Sequence, residues 1–196
     1  MQENILKKII NLFFIVFFLC LTLSFNSYAK EKWVLDKNIS SIKFEVPVLF
    51  ATNVIGEFQN FEGFVELDLD NKKNNKAILS VDIKSLKINY KKYIELILGP
   101  IFFDVFKHPL AVLDTKKFSY NDENELKLNI ELYIKGISQN IETKLNIIKL
   151  SSDLVQILGT LEFSRNDFNI GTGSWKNTTI LKDTIKIKTN LFLIRE

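Results

Sequence analysis

The sequence predicts an all-β domain of about eight antiparallel strands, a sandwich or a barrel, interrupted once by a helical segment. Three observations carry this. Apolar and polar residues alternate with a period of two over most of the chain, as they do where successive strand side chains point to opposite faces. Short polar clusters recur between the alternating runs and read as turns. One stretch, about residues 89–106, abandons the alternation for helical spacing.

The strands follow in order. Ile42, Phe44, Val46, Val48 and Phe50 alternate with Lys43, Glu45 and others in a run over 32–50. A second, over 54–70, sets Val65, Leu67 and Leu69 against Glu66, Asp68 and Asp70. Further strands are expected over 76–88, 111–120, 124–136, 140–150, 154–165 and 180–195. In the fifth, Leu126, Leu128, Ile130, Leu132 and Ile134 share one face; in the last, Ile185, Ile187, Thr189, Leu191 and Leu193 do. Each strand thus has one dry and one wet face, the pattern of antiparallel sheets. The clusters at 71–76, 119–124, 136–140 and 151–153 supply turns. In the helical stretch Tyr90, Tyr93, Ile94 and Ile97 recur at helical spacing, Gly99-Pro100 stops the helix, and Pro100 opens a second turn through Phe106 that ends at Pro109. This segment is expected to cap one side of a barrel.

Residues 1–29 stand apart. Lys7 and Lys8 precede an uncharged apolar run from Leu12 to Leu23, and Ser27-Tyr28-Ala29 places small residues where a signal peptidase reads. This is the layout of a secretory signal peptide, and the run is short for a membrane span; an uncleaved anchor is the alternative. Leu19 before Cys20 does not suit a lipoprotein site. The expected organisation is a signal peptide over 1–29 and a single barrel domain over 30–196. Cys20 and Met1 are the only residues of their kinds, so the exported domain has no thiol chemistry in a compartment that permits disulfides. Removal of Lys7, Lys8 and Glu3 from totals of 26 basic and 23 acidic residues leaves 24 and 22. That balance argues against a nucleic-acid partner.

The residue inventory points away from catalysis. His108 is the only histidine and sits beside no serine motif, so neither a triad nor a zinc site is supported. Gly171-Thr172-Gly173 lacks the spacing and following Lys-Ser/Thr of a phosphate loop and reads as a flexible loop. Asp68 and Asp70 share an exposed strand face. Arg165 and Arg195 are the only arginines in a lysine-rich chain; Arg165, flanked by Phe163 and Phe168, implies a need for planar multi-donor geometry. Its expected partners are Asp167 and Asp183 in a structural salt bridge near the barrel's end, with ligand contact as the alternative. Twelve of the 17 phenylalanines lie beyond residue 29. Eight strands can enclose either a packed interior or one small ligand, and the alternation is the same for both.

A set of short pieces in fixed order goes further. Trp33-Val34-Leu35-Asp36 with Ser40-Ser41-Ile42-Lys43-Phe44 comes first, then Val54-Ile55-Gly56-Glu57-Phe58 with Phe61-Glu62-Gly63. Phe102-Phe103-Asp104-Val105 with His108-Pro109 follows, then Leu132-Tyr133-Ile134-Lys135-Gly136-Ile137. Arg165-Asn166-Asp167-Phe168 and Asp183-Thr184-Ile185-Lys186-Ile187 close the series. Together they resemble the YceI family of lipocalin-like, polyisoprenoid-binding bacterial proteins. The resemblance implies an eight-stranded antiparallel lipocalin-like barrel, a periplasmic location, and a pocket for an isoprenoid or other fatty-chain lipid, with no cofactor. Two departures stand out. Lys91-Lys92-Tyr93 replaces an Arg-Asp pair that the family often carries, and Asn169 replaces its common glycine. On this reading Phe44, Val46, Phe58, Phe64, Leu128, Ile130, Phe163 and Phe168 are expected to line the pocket from the strands, and Phe102, Phe103 and Phe106 from the helical side. A filled interaction barrel of the envelope stress response and a lipid-modifying enzyme are the rival readings. The sequence leaves open whether the domain forms a homodimer.

Overall fold

A computed structural model describes residues 32–121 and 125–196; the signal-peptide reading falls on residues outside these. Eleven strand segments run in chain order: β1 Lys32–Leu35, β2 Ser41–Val46, β3 Val54–Phe58, β4 Phe61–Glu66, β5 Lys76–Asp82, β6 Leu86–Ile88, β7 Leu110–Asp114, β8 Leu126–Ile134, β9 Ile137–Lys149, β10 Leu154–Ser164 and β11 Thr184–Arg195. All pairings are antiparallel, and β1 closes the circle by pairing with both β4 and β11. The closed barrel has eight staves, because three of them are bent and count as two segments each.

The bends lie side by side. β1 and β2 both pair with β11, at Leu193–Arg195 and Lys186–Asn190 respectively. Between them Asp36 N–H donates to the Phe192 carbonyl (2.9 Å), and Phe192 N–H donates to Ser40 Oγ (2.8 Å). β3 and β4 are parted only by Gln59 and Asn60, whose N–H groups donate to Ser85 Oγ. Ser85 closes the 3₁₀ turn Ile83–Ser85 that parts β5 from β6, a turn capped by the Asp82 side chain on Lys84 N–H. Such corners let a twisted sheet curl closed. Beyond them β6 pairs with β3, and the wall beside it is completed by a 3₁₀ turn, Lys91–Tyr93, and the short helix α1, Ile94–Leu98. The expected helical segment is thus one short helix followed by turns through Lys107.

The β8–β9 hairpin turns on Lys135-Gly136, with φ of +50° and +78°. Two positive φ values make the two-residue turn whose twist matches the strands. The Lys135 ammonium donates to the carbonyls of Pro100 (2.9 Å) and Asn169 (2.8 Å), tying the turn to the helical side and to the end of β10. Asn169 adopts the left-handed conformation (φ +52°, ψ +35°). Asparagine tolerates that region better than most other side chains do, so this turn needs no glycine.

The interior divides in two. At one end Trp33, Leu35, Val65, Leu67, Leu79, Val155 and Leu193 pack a solid core, and the Trp33 indole N–H reaches the Leu67 carbonyl (3.0 Å). A second cluster, with Ile130, Leu132, Leu161, Phe163, Phe168 and Ile185, lies against the helical side. Between them the barrel is hollow.

Candidate ligand-binding site

The hollow is a cavity of about 350 Å³, within the range of small-molecule pockets. Its walls come from the bent half of the barrel: Ile42, Phe44 and Val46 of β2, Val54 and Phe58 of β3, and Ile88 of β6. Phe163 of β10 and Ile185 and Ile187 of β11 face them. Tyr93, Leu96 and Ile97 close the helical side with Phe102 and Phe103, as capping of the barrel requires. Of the 26 lining residues, 25 are apolar or aromatic; the exception is Arg165. Both interiors that the alternation left open are therefore present, at different depths of the same barrel.

Arg165 is 1 % exposed, and its donors are spent on main-chain carbonyls. Nε donates to Lys182 (3.0 Å), Nη1 to Ile170 (2.9 Å) and Gly171 (3.4 Å), and Nη2 to Leu181 (3.1 Å) and Asn177 (3.3 Å). Gly171 permits this approach: at φ +82°, a β-carbon there would stand 2.7 Å from Arg165 Nη1. Burial pushes the guanidinium below its ordinary value, and the charge of Asp183 opposes that shift. The guanidinium thus knits the 170–182 loop to the end of β10 and presents no free donor to the cavity. The expected salt bridge takes another form. Asp183 accepts the Asn166 N–H (3.2 Å), and Asp167 is exposed, its own N–H capped by Ser164 Oγ (3.3 Å).

The expected lining residues separate by depth and face. Phe44, Val46, Phe58, Phe102, Phe103 and Phe163 face the cavity. Ile130 and Phe168 are fully buried in the neighbouring core, Phe168 edge-on to Phe163 with ring centroids 5.1 Å apart, and Leu128 packs beside them. Phe64 and Phe106 do not line it. Phe64, 46 % exposed, points outward with Glu62 and Glu66, whose parity in β4 it shares. Phe106 is 89 % exposed with the Lys84 ammonium over its ring. Trp175 lies in a loop without periodicity and gives no signal in the sequence, whereas Leu181, at the start of the expected last strand, shares the parity of Ile185 and Ile187 and lines the cavity with them. Trp175 stands edge-on to Phe102, centroids 5.5 Å apart, in the stretch read as a flexible Gly-Thr-Gly loop. That loop is anchored: Gly171 and Thr172 N–H both donate to the Ile101 carbonyl (3.0 Å).

Residues 33–193 match the model of the YceI-like domain. The chain belongs to the YceI family. A UPF0312 protein of Shewanella denitrificans is 21% identical over 136 residues, 67% of this chain and 71% of that protein. Among solved structures, BcnA of Burkholderia cenocepacia superposes with a TM-score of 0.74 at 24% identity, over 81% of this chain and 98% of its own. A polyisoprenoid binding domain from Saccharophagus degradans, implicated in plant cell wall breakdown, gives 0.69 at 15% identity, over 84% and 98%. The Campylobacter jejuni YceI protein gives 0.66 at 22% identity, over 76% and 89%. These likenesses establish the closed eight-stranded barrel as the family's fold. Among the described residues no helix is long and apolar enough to cross a membrane.

Proposed function

We propose that this YceI-family barrel is a non-catalytic carrier for a long-chain apolar molecule of polyisoprenoid type, such as an isoprenoid quinone or a related lipid. The observation that carries the reading is the cavity wall: 25 apolar or aromatic side chains and one arginine whose donors are already engaged. Moving a hydrocarbon tail from water into such a wall yields about 0.8 kcal/mol per methylene. A polar guest would lose its water partners and find few in exchange. The wall holds no Asp, Glu, His or Ser to serve as an acid, base or nucleophile. A protein similar in fold, from Saccharophagus degradans, is a polyisoprenoid binding domain, which agrees with this chemistry. We place the carrier in the periplasm, exported by residues 1–29 and cleaved after Ala29.

The test is extraction of lipid from protein recovered from the exporting host, with intact-mass measurement of the same sample. A co-purifying polyprenyl lipid, or stoichiometric uptake of added polyprenyl lipid by the stripped protein, is expected. Repeated absence of both would overturn the carrier reading. A mass that retains residues 1–29 would overturn the cleavage.

A further inference from the structure

Phe50 is 98 % exposed, the most exposed large apolar residue among those described. Its φ of +58° places a bulky side chain in the left-handed region, where such residues are outliers. The loop that carries it is braced on both sides. Leu49 N–H donates to the Ile180 carbonyl (2.9 Å), and Lys182 N–H to that of Pro47 (3.0 Å). The Tyr90 hydroxyl donates to the Thr52 carbonyl (2.8 Å), and Asn89 Nδ2 to that of Asn53 (2.8 Å). A strained backbone held this firmly while its side chain points into solvent marks a functional position.

The surroundings show what it meets. Ile180 (65 % exposed), Tyr93 and Leu49 extend the apolar surface around Phe50. Ala51, Tyr93 and Ile180 also line the cavity, so this surface is the rim of its mouth. The three segments that frame the mouth, 47–53, 89–93 and 171–182, carry Lys91, Lys92, Lys176 and Lys182 and no Asp or Glu, in a domain whose charges otherwise nearly balance. Of the acidic residues just outside them, Glu45 accepts from Asn53 and Asp183 accepts from the Asn166 main chain, while Glu95 is exposed on α1.

We infer that the rim is a docking surface for an anionic lipid bilayer. Phe50 and Ile180 enter the interface below the headgroups, and the lysines sit among the lipid phosphates. The cavity mouth is thereby held at the acyl boundary. Apolar side chains ringed by lysine are the ordinary means of interfacial binding. The inference rests on the carrier reading for its purpose, but docking is measured separately.

The experiment is co-sedimentation of the exported protein with phosphatidylethanolamine–phosphatidylglycerol vesicles and with pure phosphatidylcholine vesicles. All variants carry the same N-terminus. Phe50→Asn keeps a residue that tolerates the left-handed backbone, so it removes the ring without unfolding the loop. The inference expects binding to the anionic vesicles that weakens as salt rises. It expects a loss of about tenfold in Phe50→Asn and roughly thirtyfold in Lys91→Ala with Lys92→Ala. Phe64→Ser, on the far outer wall, should bind like wild type. Absence of wild-type binding, or unchanged binding in Phe50→Asn, overturns it. Uptake of the apolar dye N-phenyl-1-naphthylamine is followed in parallel. Vesicle binding that obeys the variants without dye uptake sinks the carrier reading and leaves docking standing.

Discussion

The ring of Phe44 occupies the space that a β-carbon at Gly56 would need. The two residues are Cα partners across β2 and β3. A β-carbon on Gly56 would overlap Cε1 and Cζ of Phe44 and stand 2.9 Å from Cγ2 of Ile88. The missing side chain lets the ring lie against the wall, tilted 38° to Phe58 with centroids 5.7 Å apart, and leaves the space beyond it open. Gly56→Ala should therefore push the ring into the cavity. Overpacking of this kind costs about 1–3 kcal/mol. Denaturant unfolding should show that loss, and an apolar dye should bind more weakly. Unchanged dye binding would mean that Phe44 does not set the free volume.

Strand parity explains why much of this was readable and where reading stopped. The eight staves are legible because the alternation resumes beyond each bend at Asp36–Ser40, Gln59-Asn60 and Ile83–Ser85, although the buried parity changes there: Trp33 and Leu35 give way to Ile42 and Val46, Phe58 to Phe61, and Val81 to Leu86. Inside against outside within a segment is also a matter of parity: Phe64 falls in step with Glu62 and Glu66, so the sequence itself encodes its outward position. Depth along the barrel axis is different. Ile130 and Phe163 are both dry-face residues, yet one is core and the other faces the cavity. That depends on strand tilt and register, which a period of two does not encode. Trp175, set in a loop, gave no periodic signal at all.

Parity yields a paired prediction. Phe58 is 9 % exposed and faces the cavity; Phe64 is 46 % exposed and faces out. Phe58→Ala should cost about 3–5 kcal/mol and alter uptake of an apolar dye. Phe64→Ser should shift stability by only about 0.5 kcal/mol, as surface changes usually do, and leave uptake unchanged. Equal effects on dye uptake would contradict the placement of the binding space.

Asn169 offers a backbone test. Its N–H and that of Ile170 close the 3₁₀ turn that follows β10, bonding to Asn166 and Arg165 carbonyls at 3.1 and 2.9 Å. Asn169→Gly should be close to neutral, because glycine enters the left-handed region freely. Asn169→Ala should cost about 1 kcal/mol. The difference between their urea midpoints checks it; an alanine variant as stable as the glycine one would refute the strain argument.

Asp68 carries a pH signature. Its carboxylate accepts N–H donors from Asn71 (2.7 Å) and Asp70 (3.1 Å), and the Asn71 side-chain amide (3.1 Å). Those bonds, the Asn71 main-chain donor foremost, hold its pKa below the ordinary 3.8, against some opposing desolvation. With the folded value lower than the unfolded one, the unfolded chain binds more protons between the two, so stability rises with pH there. The contribution is complete above about pH 4 and fades as pH falls through the lowered folded value. The stability gap between wild type and Asp68→Ala should accordingly be constant near neutrality and close in acid. A gap that persists at the acid end would assign the turn's stability to something other than the ionised carboxylate.

Arg165 is the strongest single test of how the mouth loop is held. Five carbonyls, from Ile170 to Lys182, converge on one buried guanidinium. Arg165→Met keeps an apolar stem but leaves those carbonyls without donors, an effect of about 3–5 kcal/mol when a buried charged partner is removed. Arg165→Lys keeps the charge but loses the planar fork, and an ammonium has three donors for five acceptors. The lysine variant should fall between wild type and methionine in urea unfolding. Hydrogen exchange should quicken at the Gly171 and Thr172 amides, which bond to Ile101, before the β8–β9 hairpin is affected. If both variants melt like wild type with those amides still protected, the guanidinium is not what fastens the loop.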